Sequence, residues 1–128
     1  MIRPVLAIGG LTLTLLLGGC PSNMISNPDT LVFPDSAVSY SQHVQPFFTL
    51  RCFPCHDSYN ASGDIKLTDY SSVMFSRANM VVPGNPDQSL LMLVLTGSIQ
   101  HISGQINEIP AHQIYGIRTW IQEGALPN

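Results

Sequence analysis

Two residue types at one spacing can do chemistry: Cys52 and Cys55, three positions apart, with His56 directly after the second thiol. They stand in the run Arg51-Cys52-Phe53-Pro54-Cys55-His56. Thiols so placed can each add to one of the two vinyl groups on a haem edge. The adjacent histidine is then held beneath the iron, where its imidazole serves as proximal ligand. Covalent attachment keeps the cofactor from dissociating, which suits work outside the cytoplasm. Competing chemistries fit less well. Tetrahedral zinc wants a second ligand pair at regular spacing, whereas the other cysteine is Cys20, and His43, His101 and His112 are scattered. A redox dithiol is expected after a strand, opening a helix inside a βαβ unit, and no such alternation surrounds Cys52. A disulfide between Cys52 and Cys55 leaves His56 unexplained.

The elements that must position this motif follow from periodicity. Tyr40, Val44, Phe47 and Phe48 fall at helical intervals, with Ser39 or Ser41 as N-cap, and Pro46 predicts a short or kinked helix running into Cys52. The aromatic residues on it read as core. After His56 comes a loop through Gly63, then Ile65 and Leu67 alternate towards one side, against the haem edge. Thr68 or Asp69 caps a short helix through Ser76. Val81-Val82-Pro83-Gly84 is extended and ends in a turn. Asn85-Pro86-Asp87-Gln88 starts a helix with Asn at N-cap and Pro at N1. That helix carries Leu90 to Leu95, is apolar nearly all round, and should be buried. Ser98 to Asn107, with His101, reads as irregular. Pro110 opens a last helix with Ile114, Ile117, Trp120 and Ile121 on one face, ending at Gly124. Glu123 at its end reads as a surface detail.

Length and composition bound the possibilities. A chain of 128 residues, 45% of them apolar, supports one domain with a modest core. A haem would add the apolar surface that such a core lacks. The formal net charge is -3 and Lys66 is the sole lysine, so nucleic acid is not an expected partner. Residues 1–19 read as a cleaved leader, with Arg3 as its positive end and an apolar run from Val5 to Leu17, short for a membrane span. Residues 20–37 read as a tether rich in Pro, Ser, Asn and Asp, with Val32 and Phe33 expected to tuck back onto the domain edge. Residues 38–128 are expected to form the haem domain.

Two resemblances complete the reading. Leu17-Gly18-Gly19-Cys20 resembles the lipobox of bacterial lipoproteins. This implies cleavage before Cys20, acylation of its thiol and anchoring to the membrane by two or more chains. By the sorting tendency of that family, Pro21 after the cysteine implies the outer membrane before the inner one. The haem domain would then lie in the periplasm or at the cell surface. The order of elements from residue 38 to residue 126 resembles the class I cytochrome c fold, and more narrowly the small cytochrome c domains of planctomycete type. The matching pieces are Val44 to Phe48 before the attachment motif, Gly63 to Leu67, Val82 to Leu90, and Ile117 to Ala125.

The resemblance implies an all-α fold with first and last helices crossing beside one covalent haem, setting Phe47 and Phe48 near Ile117 and Trp120. It also implies a sixth iron ligand on the loop before the last helix, usually the methionine of a Met-Pro pair. This chain has no methionine after Met92, and His101 falls at or within a residue of that place. The expectation is a bis-histidine iron on His56 and His101, with Met80 or no residue as the alternatives. Imidazole in place of thioether implies a low potential. The expected function is single-electron transfer between redox proteins of the cell envelope. The alternatives are a five-coordinate haem with peroxidase-like or gas-sensing activity, and a haem-stabilised binding module. No Ser-His-Asp, paired-carboxylate or phosphate-loop pattern argues for other chemistry.

Overall fold

The computed structural model describes residues 26–128. The leader and Cys20 lie outside the described residues. Among the described residues the secondary structure is helical, with a lone antiparallel bridge between His56 and Ala61 and no strand. The fold class is all-α, as expected. None of these helices is long and apolar enough to cross a membrane.

The first helical element is in two pieces for a physical reason. Tyr40–Val44 forms a widened, π-type turn, and α1 follows over Gln45–Arg51. Pro46 has no N–H to donate, so the regular ladder is interrupted there, and the turn before it opens to i→i+5 bonding. Ser39 caps the turn by accepting the Gln42 N–H at 3.3 Å. Val44, Phe47 and Phe48 are fully buried. Cys52 kinks the chain into α2, Phe53–His56, whose first turn contains Pro54.

α3, Tyr70–Phe75, begins at Asp69 in a reciprocal capping box with Ser72. The expected next helix is divided. Pro86–Gln88 is a single 3-10 turn, Ser89 is extended, and α4 runs over Leu90–Leu95. Asn85 makes no side-chain cap. The fully buried Ser89 hydroxyl causes the break, since it donates to the Asn85 carbonyl and accepts the Val82 N–H at 2.9 Å. The first N–H groups of α4 go instead to the Asn79 and Met80 carbonyls.

α5, Ala111–Gln122, closes the fold with Ile117, Trp120 and Ile121 fully buried. The first and last elements meet chiefly through the widened turn, where the Tyr40 ring lies 5.7 Å from Trp120. Phe47 and Phe48 share the same core with Ile117 and Trp120. Burying each such side chain contributes about 1.5–3 kcal/mol.

Part of the segment expected as a tether makes contact with the helices. Leu31 is buried, while Val32 points outwards. Phe33 lies against Gly116 and, at 6.1 Å, against the ring of Phe47. Glu123 is more than a surface detail, because its carboxylate accepts the N–H groups of Ala37 and Val38 at 2.7 and 2.9 Å. Phe33 docks as expected, whereas composition hid the burial of Leu31 and the Glu123 contacts, since a Pro- and Asn-rich run has no period to reveal them.

Candidate cofactor site

A cavity of about 690 Å³ opens beside the attachment motif. One wall is α2, which carries Cys55 and His56, with Cys52 at its start. Ile65 and Leu67 form the next wall, and the backbone explains why they stand there. The Leu67 N–H donates to the His56 carbonyl at 2.9 Å, and the His56 ring Nδ1 lies 3.0 Å from the Ile65 carbonyl. Only a protonated Nδ1 can pair with that oxygen, so the Nε2 lone pair is left for a metal.

The far walls are α4 and the loop before α5. Leu91 and Leu95 of α4 line the cavity. This accounts for the apolar circumference of that helix, since one side packs in the core and another faces the cavity. His101 comes from the loop. Its ring centre lies 5.9 Å from that of His56, with 57° between the planes. Two imidazoles bound through one nitrogen each, at about 2 Å from a shared metal, have ring centres roughly 6 Å apart. The ring spacing is compatible with a metal shared by two imidazoles on opposite sides of it, and the apolar walls are compatible with a large flat macrocycle. Among the described residues no three His, Cys, Asp or Glu side chains converge as a metal-ion site, so the remaining coordination would have to come from the cofactor itself.

The thiols differ. Both are free, with Cys52 half-buried and Cys55 exposed. Burial pushes the Cys52 thiol up to about 12, against a weaker lowering by Arg51.

The other candidates fall elsewhere. The His43 Nδ1 accepts the Ser39 N–H at 3.0 Å, and the exposed His112 has Nε2 3.3 Å from the Leu31 carbonyl. Neither lines the cavity, and nor do Met74 and Met92, whereas the buried Met80 does. Sequence reasoning missed Arg51 and Arg77, which also line it. Arg51 is held by the Gln113 amide oxygen at 2.9 Å and by Asp29 at 2.7 Å. No periodic signal marks such partners, because they are far apart in the chain.

No curated protein and no solved structure matches this chain. A family model does match, over a stretch that begins at Cys52. Residues 52–101 match the family model described as Planctomycete cytochrome C, and this match supports a cytochrome c-like domain.

Proposed function

We propose that the chain is a monohaem c-type cytochrome that carries single electrons, with thioethers at Cys52 and Cys55 and with His56 and His101 as the two iron ligands. The observation that carries this reading is the 5.9 Å separation of the two imidazoles across a cavity bordered by both thiols. Bound haem would supply a reversible one-electron couple. The protein's part is to hold the ligands, with His56 oriented by the Ile65 carbonyl and Leu67, Leu91 and Leu95 keeping water off the macrocycle. Two protein ligands leave no open position for a substrate, which favours transfer over catalysis. Imidazole in the sixth position favours a lower potential than a thioether would give.

The lipobox-like run ending in Cys20 supports a lipid anchor in the bacterial cell envelope, on the outer membrane before the inner one. The partners would be redox proteins at that surface. A direct test is haem retention after extraction with acidified acetone. Protein exported from cells should stay coloured, and Cys52→Ala together with Cys55→Ala should lose the colour. Haem that survives extraction in the double variant would contradict covalent attachment.

A further inference from the structure

Two exposed isoleucines stand at the rim of the cavity. Ile99 is 41% exposed and Ile102 is 105% exposed, and both border the cavity beside His101. The Ile99 N–H donates to the Leu93 carbonyl at 2.9 Å, which ties the loop to α4. The Ser103 N–H bonds back to the His101 Nδ1 at 3.1 Å, so the chain turns over at Ile102 and leaves that side chain outermost. From Gln88 to Asn107 the chain carries no Asp, Glu, Lys or Arg. The other exposed large apolar residues, among them Tyr59 and Phe75, do not border the cavity. Scattered singly, such residues are ordinary surface.

The segment that leads back to Cys20 meets the fold beside the same cavity. Residues 28–33 form a strap across α1 and α5. Asp29 pairs with Arg51 at 2.7 Å, and the buried Gln113 amide donates to the Pro28 and Leu31 carbonyls at 2.7 and 3.2 Å. Arg51 directly precedes Cys52, and Pro28 itself lines the cavity. From Cys20 to Pro28 the chain can reach at most about 29 Å when fully extended. A folded body of about 100 residues is roughly that broad.

We propose that the rim at Ile99 and Ile102 rests on the lipid surface to which Cys20 is anchored, so that the haem cavity opens towards the bilayer. This rests on the lipid-anchor reading above. A tether of this reach keeps the cavity side of the protein close to the acyl chains. An uncharged loop gives up little hydration at the headgroup boundary, while each isoleucine gains by leaving water. The same loop offers no fixed charge with which to steer a protein partner. The acyl chains on Cys20 supply the affinity, and the two isoleucines decide which side faces the membrane. Electrons then reach and leave the haem from the lipid side.

The test uses full-length, acylated, haem-loaded protein in vesicles of phosphatidylethanolamine and phosphatidylglycerol whose acyl chains carry a photoreactive diazirine. After illumination, lipid adducts are mapped on peptides by mass spectrometry. Adducts should concentrate on the peptide containing Ile99 and Ile102, and stay at background on those containing Tyr59 and Phe75. Ile99→Ser combined with Ile102→Ser should lower the rim adducts about tenfold, while the protein still floats with the vesicles through Cys20. Adducts spread evenly over these peptides, or rim adducts unchanged in the double variant, overturn the proposal. Wild-type protein that lacks acyl chains on Cys20, or that stays in solution, overturns the anchor reading itself.

Discussion

His56 and His101 face the same cavity with opposite hydrogen bonding at Nδ1. The His56 nitrogen meets a carbonyl, that of Ile65 at 3.0 Å, so it must donate. The His101 nitrogen meets a donor, the Ser103 N–H at 3.1 Å, so it must accept. In the first ring Nε2 is free to bind metal as it stands. In the second, binding through Nε2 requires the proton to move to Nδ1 and the Ser103 bond to be given up.

In the proposed bis-histidine iron, that asymmetry would make the His101 bond the weaker of the two. Carbon monoxide added to the ferrous protein should displace His101 and leave His56 in place. A neutral hydrogen bond is worth about 1 kcal/mol net. Ser103→Pro removes the N–H that His101 regains on leaving, so carbon monoxide affinity should fall about fivefold in that variant. An unchanged affinity would show that the Ser103 bond plays no part.

Gly116 is required by a close approach. A Cβ there would overlap the Phe33 side chain at its root, where a rotamer change gives no relief. Gly116→Ala should cost about 1–3 kcal/mol by overpacking, seen as a lower denaturant midpoint. Because the fault lies in one contact, Phe33→Ala combined with it should cost less than the sum of the two single changes. Strict additivity would place the strain elsewhere.

The Tyr40 hydroxyl is buried without a hydrogen-bond partner. Burial, with smaller contributions from Asp69 and Tyr70, pushes it up to about 12 from 10.0. The unfolded chain therefore releases this proton first. The stability Tyr40 confers is complete below pH 10 and is lost as pH rises through about 12. Tyr40→Phe should raise neutral-pH stability by about 1 kcal/mol, since it removes a buried hydroxyl that has no partner. It should also flatten the alkaline decline in urea midpoints measured across that window. A steeper decline would contradict the assignment.

Cys20→Ser should release the protein from membranes and leave the absorption spectrum of the haem domain unaltered, since the change lies upstream of the packed strap. Fractionation of cells expressing both forms decides this. A variant that stays with the membrane would move the anchoring to another part of the chain or to a partner.

What was legible in the sequence was whatever repeats or is local. Cys52, Cys55 and His56 announce themselves by spacing, and the burial of Val44, Phe47, Phe48, Ile117 and Trp120 follows from helical period. Asp69 as a cap is equally local. The strap was legible only in part: Phe33 packs as expected, but Val32 points outwards and Leu31 takes the buried place, because these residues have no periodic company and their partners, Gln113 and Gly116, lie on α5. Glu123 was misread for the same reason, since its carboxylate serves N–H groups of Ala37 and Val38 far back in the chain. The break at Ser89 hinges on one buried hydroxyl, which propensity cannot register. His101 was reached through the family's order of elements, and the structure adds its distance from His56.

The measurement closest to the central claim is the spectrum of the purified, oxidised wild-type protein, by optical absorption and electron paramagnetic resonance together. Iron held by His56 and His101 should be low-spin ferric, with no sulfur-to-iron charge-transfer band, and His101→Ala should turn it high-spin. A sulfur charge-transfer band, pointing to Met80, or a high-spin wild-type signal would contradict the account.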